Sequence, residues 1–369
     1  MADPTQSPDP AFAPPEVKVE IRPNEARLLE VASTLPGKSI VVFSNGRAQS
    51  AGALASERPN SKVVAWYLDA YRCDLAQQYH SDAPDNLSCV CDGDWPLDES
   101  DPQVDLVCLA LQKGGEAELN RELLQTAYHN LKEGGALVTA INNPKDKWLI
   151  GQMQTFDKSV KVRSFKKSIV YYVIKKKPLK KLKDFSCQLA FRDEGNLIQV
   201  VTRPGVFAHR QFDNGGRQIL DMIEVFPECN IIEIGCGSGA MSLALAKRDP
   251  SCNLFAIDSY SRAIDCVRRG AEINELTNVT AELNHDGKLG KRAGQFDMAV
   301  ANPPYYADYR IAKHFIETAT WALRLGGRLV LVTRMPQWYR DNLGQWLDEV
   351  EVFESRRYHI ATGITRKRK

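Results

Sequence analysis

The chain has 369 residues, 43% hydrophobic and 25% charged, a globular composition long enough for two domains with separate cores. Its formal net charge is only +2, so any affinity for a polyanion has to come from local patches. No apolar run nears the roughly 18 residues that span a bilayer, nothing resembles a signal peptide, and the nine scattered cysteines have neither zinc nor thioredoxin spacing; the expectation is a reduced cytoplasmic protein with no metal and no membrane contact.

In chain order, residues 1–15 hold five prolines among small polar residues and read as a disordered leader. Strand patterns follow at Ser39–Phe43, Val63–Asp69 and Val104–Ala110, and again at Ala136–Thr139 behind a turn at Gly134-Gly135. The stretch from Lys158 to Lys183 holds eleven Lys or Arg and no acid. Within it Ser168–Ile174 reads as a last strand of the first domain and Lys175–Lys183 as a linker. The expected division is therefore 16–180 and 181–369, with the second core opening near Phe185.

The second half begins its clear pattern with the strand Asn230–Ile234, the loop Gly235-Cys236-Gly237-Ser238-Gly239 and a helix over Met241–Lys247. A strand Leu254–Asp258 ends in an acid. Phe296–Ala301 is a later strand that runs into Asn302-Pro303-Pro304-Tyr305. A helix over Ile311–Leu323 and a Gly326-Gly327 turn lead into the strand Arg328–Val332. Strands alternating with helices imply a mostly parallel sheet covered on both faces.

Two spacings suggest that the halves are copies. Gly46 to Asp69 and Gly235 to Asp258 both span 23 residues, and Asp105 to Gly134 and Asp297 to Gly326 both span 29. The chemistry is not copied. The first half keeps one loop glycine and has Leu111-Gln112-Lys113-Gly114 where the second has Asn302–Tyr305. The expected fold class is α/β, two tandem Rossmann-like domains with the N-terminal one degenerate.

A glycine loop after a strand lets backbone approach a ligand at a helix N-terminus, which dinucleotide-binding proteins also exploit. Here Glu233 stands two residues before Gly235. A carboxylate there suits a cationic amino group, as on the methionine part of S-adenosylmethionine, and would repel a pyrophosphate. Gly235, Gly237 and Gly239 form the candidate cradle. Asp258 is placed to accept hydrogen bonds from ribose hydroxyls. Asp286, in Asn284-His285-Asp286-Gly287, is a candidate acceptor for the adenine amino group, with a plain turn aspartate as its alternative. These acids and glycines make both domains class I methyltransferase folds in expectation, with S-adenosylmethionine as cofactor.

Asn302-Pro303-Pro304-Tyr305 after a hydrophobic strand resembles the amino-methyltransferases, whose targets are planar nitrogens: adenine N6, guanine N2 or glutamine N5. The lone pair of such a nitrogen is delocalised. The Asn302 side-chain oxygen and the Pro303 carbonyl can accept its two N–H bonds and so turn the lone pair toward the methyl group. Pro303 and Pro304 stiffen the backbone, and Tyr305 can stack on the planar group.

Nearly the whole chain resembles the bacterial ribosomal RNA guanine-N2 methyltransferases of the RsmC/RlmG type. The resemblance adds the stretch Pro204-Gly205-Val206-Phe207 through Asp213-Asn214-Gly215, and implies cofactor or substrate contacts for Phe207, Asp213 and Gly215. Ala208 stands where that family has serine. The implied partner is ribosomal RNA or a ribosomal subunit and the implied state a monomer. Candidate phosphate contacts are the Lys158–Lys183 stretch, the tail residues Arg356, Arg357, Arg366, Lys367, Arg368 and Lys369, and Arg310 and Arg334. The rival uses of the motif are glutamine-N5 methylation of release factors, adenine-N6 methylation of DNA or RNA, and a non-catalytic RNA-binding protein on the same fold.

Overall fold

The structure is a computed structural model that describes residues 20–98, 103–304 and 309–366. The leader, Tyr305 and Lys367, Arg368 and Lys369 lie outside the described residues. The rest falls into two compact units that divide between Phe185 and Ser186.

In the first unit, strands β1 (Ser39–Phe43), β2 (Lys62–Tyr67), β3 (Leu87–Cys91), β4 (Val104–Leu111), β5 (Leu131–Ile141), β6 (Lys161–Ser164) and β7 (Ile169–Ile174) form one sheet. Its order is β3-β2-β1-β4-β5-β7-β6. Helices α1 (Pro23–Ala32), α2 (Gln49–Glu57), α3 (Ala70–Tyr79), α4 (Ala117–His129) and α5 (Trp148–Met153) are spaced between them. β1 and β2 are almost wholly buried apolar runs, as central parallel strands covered on both faces must be.

The second unit opens with a hairpin, β8 (Cys187–Asp193) and β9 (Asn196–Thr202), then α6 (Asn214–Leu220). Strands β10 (Asn230–Ile234), β11 (Asn253–Asp258), β12 (Val279–Leu283), β13 (Phe296–Ala301), β14 (Leu323–Thr333), β15 (Leu347–Ser355) and β16 (Tyr358–Thr365) follow, with α7 (Ala240–Arg248), α8 (Ser261–Ile273), α9 (Arg310–Ala322) and α10 (Pro336–Asn342) among them. The sheet order is β12-β11-β10-β13-β14-β16-β15. This is the first unit's topology repeated strand for strand, including the antiparallel pairs at one edge.

The strand registers correct the alignment that the spacings suggested. The bulge falls after Val104 in one unit and after Phe296 in the other, and the residues just past it, Leu106 and Met298, pair with Ile40 and Ile231, so each early residue of the first unit matches the one 191 positions later. Gly46 then matches Gly237, Tyr67 matches Asp258, and Asp69 matches Tyr260. The 23-residue interval could not reveal this, because sliding along both strands together leaves it unchanged. Later in the units the offset is 192, since Val104 pairs with Leu131 and Phe296 with Leu323. Ala110, not Leu111, therefore stands in the place of Asn302.

Two boundaries also differ from expectation. Gly134 and Gly326 are not turns ahead of their strands but lie inside β5 and β14, at φ +83° and +75°, where each strand bulges against its neighbour. Lys175 is not a linker residue. It is buried, and its ammonium donates to the carbonyls of His129 and Leu131 at 2.6 Å each. Lys183 exchanges two hydrogen bonds with the Gln125 amide. The basic stretch is thus tied into the first unit almost to its end.

Candidate active site

The register of three neighbouring strands builds the site. Ile234 of β10 pairs with Ile257 of β11 on one side and Ala301 of β13 on the other. The next residue on each strand is Gly235, Asp258 or Asn302, so these three leave the sheet at one level on its carboxyl edge. Ligands of doubly wound sheets bind at that edge.

The loop glycines are demanded by geometry. Gly235, Gly237 and Gly239 have φ of +71°, +54° and +76°, where a side chain is strained. A Cβ on Gly235 would also lie 2.6 Å from the Phe315 ring, and one on Gly239 2.6 Å from Val267. At Gly237 the nearest atom is Phe207 Cβ at 3.9 Å. Gly235 and Gly239 are therefore locked against α9 and α8, while a side chain at Gly237 would find room.

Glu233 is 1% exposed. Its Oε2 accepts the Ser242 backbone N–H at 2.8 Å and the Ser242 hydroxyl, and so satisfies a donor of the first turn of α7. Burial pushes its pKa up to about 8, against the pull of the Ser242 hydrogen bonds. Asp258 holds the loop to the next strand: Oδ2 accepts from Gly237 N–H and Oδ1 from Tyr260 N–H, both at 2.9 Å.

Asp286 stands farther along, after β12. Its Oδ1 accepts the Lys288 N–H at 3.0 Å, and its Oδ2 pairs with the Lys288 ammonium at 2.8 Å. Burial works to raise its pKa, but these hydrogen bonds and the lysine charge outweigh that and hold it below the usual carboxylate range. The turn aspartate geometry is present in full.

Asn302 faces α6. Its Nδ2 donates to Asp213 Oδ2 at 2.7 Å. The same oxygen accepts the Gly216 N–H at 2.8 Å, which makes Asp213 the N-cap of α6. Pro303 is buried, and Gly215 is buried in the first turn of α6. Phe207 is 63% exposed, on a segment where Ala208 and Arg210 take φ of +57° and +67°. Arg262, 1% exposed, anchors that segment through the Pro204 carbonyl at 2.9 Å.

The sequence pattern did not disclose Ser242, Arg262 or Phe315, each of which holds a site residue from another element. An Asp-x-x-Gly start to a helix signals a cap, but nothing local reveals that the same carboxylate meets Asn302. Among the candidate phosphate contacts, Arg334 donates to the Tyr358 hydroxyl at 2.8 Å, Arg356 pairs with Asp221 at 3.6 Å and Arg366 with Asp348 at 3.1 Å. Arg310 is exposed at the start of α9. Exposed lysines and arginines of the first unit, Lys161, Arg163, Lys166 and Lys167, surround the β6–β7 turn.

The first unit has lost the site position by position. Val42 matches Glu233, Ala48 matches Gly239, and Ala110 matches Asn302. Tyr67, fully buried in the place of Asp258, donates its hydroxyl to the Gly46 carbonyl at 2.9 Å.

Comparison with known proteins agrees with this picture. Residues 197–362 match the family described as methyltransferase small domain. The ribosomal RNA small subunit methyltransferase C of Haemophilus influenzae strain PittGG is 25% identical over 335 residues, covering 89% of this chain and 94% of its own. Its counterpart in Ectopseudomonas mendocina is 33% identical over 152 residues, covering 40% of this chain and 44% of its own. Among solved structures, the T. thermophilus 16S rRNA N2 G1207 methyltransferase (RsmC), in complex with AdoMet and guanosine, superimposes with a TM-score of 0.76 at 21% identity. It covers 94% of this chain and 92% of that one, so the two-domain fold is shared end to end.

Proposed function

We propose that this chain is a class I methyltransferase of the RsmC type, to which nearly its whole length is similar, and that it transfers a methyl group from S-adenosylmethionine to the exocyclic N2 amino group of a guanine in small-subunit ribosomal RNA. The observation that carries this reading is the strand register that brings Gly235, Asp258 and Asn302 to one edge at one level. The donor set fits the cofactor: three glycines at positive φ, one of them open, a buried acid and an acid on the next strand. Gly235, Gly237, Gly239, Glu233 and Asp258 would hold it, with Phe207, Gly215 and Asp286 as further contacts. When bound, it supplies an electrophilic methyl on a sulfonium.

The chain's own residues orient the acceptor. The Asn302 side-chain oxygen and the Pro303 carbonyl accept the two amino N–H bonds, which turns the nitrogen lone pair toward the methyl and favours the positive charge that develops on nitrogen. Pro303, which is buried, and Pro304 preorganise these acceptors. Tyr305 stacks on the base. The first unit, through Phe185, serves as a degenerate copy without a cofactor site, and the second, from Ser186, as the catalytic domain. The protein acts as a cytoplasmic monomer on ribosomal RNA or an assembled subunit; among the described residues no helix is long and apolar enough to cross a membrane.

The test is incorporation of labelled methyl from S-adenosylmethionine into ribosomal RNA and subunits taken from a strain lacking the enzyme. Incorporation with the wild-type chain, and its loss with Asn302→Ala, is the expected result. Incorporation into release factor but not RNA would move the reading to glutamine N5.

A further inference from the structure

The two ends of an asparagine side chain are alike in shape and opposite in chemistry. Only the oxygen of Asn302 can accept from a substrate amino group, so the amide must not turn over. In the structure its nitrogen end donates to Asp213 Oδ2 at 2.7 Å. A carboxylate accepts and never donates in its ionised form, so it can hold the nitrogen end and cannot hold the oxygen end. Asp213 is itself fixed, because the same oxygen caps α6 through Gly216 N–H at 2.8 Å.

We infer that Asp213 is a positioning residue for methyl transfer, which fixes the orientation of the Asn302 amide rather than binding the cofactor. This rests on the amino-methylation reading above. The contact between Asp213 and Asn302 is a charge-assisted hydrogen bond, stronger than one between neutral groups. It also polarises the amide: a negative charge behind the nitrogen end makes the far oxygen a better acceptor where positive charge grows on the target nitrogen.

The first unit is an internal control. By strand and helix register Arg22 stands in the place of Asp213, as the N-cap of α1, and makes no side-chain cap hydrogen bond. Ala110 stands in the place of Asn302. The copy that lost the amide lost the carboxylate too, although its helix still forms. The cap alone therefore does not require the acid.

The test uses the full chain with Asp213→Ser, which keeps a capping oxygen but is too short to reach Asn302, and Asp213→Asn, whose oxygen still accepts. Asp213→Ser is expected to lower kcat about 30-fold with unchanged melting temperature and unchanged S-adenosylmethionine affinity, and Asp213→Asn to fall between it and wild type. In an Asn302→Ala background Asp213→Ser is expected to cost nothing further, because the amide it positions is gone. Cofactor affinity falling in step with activity, or the same 30-fold loss in the Asn302→Ala background, would overturn the inference. A substrate-free readout separates it from the function reading. The side-chain amide resonances of Asn302, assigned by their absence in Asn302→Ala, are expected to shift in Asp213→Ser. Unmoved resonances would sink the inference even if guanine methylation is confirmed. A shift would uphold it even if the acceptor proves to be another planar amine.

Discussion

At the residue scale the site separates holding from reacting. In the proposed role Asn302 holds the acceptor and not the cofactor, so Asn302→Ala is expected to cut kcat by roughly two to three orders of magnitude, as loss of a preorganised polar group does, while calorimetry is expected to find S-adenosylmethionine affinity nearly unchanged. A variant with retained turnover would remove Asn302 from the mechanism. Glu233 shows a different tension. Its folded-state pKa of about 8 lies above the ordinary 4.5. The folded protein prefers the protonated acid, so this contribution to stability is whole below pH 4.5 and is lost as pH rises toward 8. Glu233→Gln is therefore expected to raise the melting temperature of the cofactor-free protein at pH 8 and to leave it nearly alone at pH 5. A gain independent of pH would contradict the assigned cause. Glu233, Asp258 and Asn302 were legible because each is a polar residue interrupting or ending a buried apolar strand. Asp213's partner was not, since the two residues meet across 89 positions of chain.

At the element scale the glycine loop and the opening hairpin make distinct demands. Gly239→Ala meets both a positive φ and Val267 at 2.6 Å, so it is expected to destabilise the second unit by roughly 2 kcal/mol. Gly237→Ala has room for its methyl and is expected to lose about 1 kcal/mol of stability, yet to weaken cofactor binding more, because its backbone faces the site. Equal effects of the two on melting and binding would contradict this division. The β8–β9 hairpin is tied to α7 by Asp193 and Arg248, whose side chains are both 4% exposed and 2.7 Å apart. Arg248 also donates to the Ile223 and Leu220 carbonyls at 2.6 and 2.9 Å. Asp193→Ala leaves that buried guanidinium with only the exposed Glu194, at 3.3 Å, as its acid, and chemical denaturation is expected to show a loss of about 3 kcal/mol; a loss under 1 kcal/mol would contradict a structural role. The apolar strands were legible almost to the residue, since burial on both faces leaves little else for Asn230–Ile234 or Phe296–Ala301 to be. The hairpin was not, because its alternating half-exposed residues carry no strong run. The double glycines misled because a glycine pair signals a turn and a strand bulge alike.

At the scale of the whole molecule the chain is one fold written twice. The repeat was legible from equal spacings, but its true register emerged only from the strand pairing, which sets Tyr67 against Asp258 and Ala110 against Asn302. With Tyr67 in the place of Asp258, the proposed ribose acceptor, calorimetry on the full chain is expected to find one S-adenosylmethionine per molecule, and Asp258→Ala to abolish that binding; two sites would contradict the degenerate status of the first unit. The choice of guanine rests on the similarity of nearly the whole chain to its relatives, since the amino-methylation motif serves adenine and glutamine as well. The most direct measurement is therefore mass spectrometry of the nucleosides from ribosomal RNA or small subunits methylated by the purified chain. The account predicts N2-methylguanosine as the product, absent with Asn302→Ala. N6-methyladenosine in its place, or unmodified RNA beside methylated protein, would contradict it.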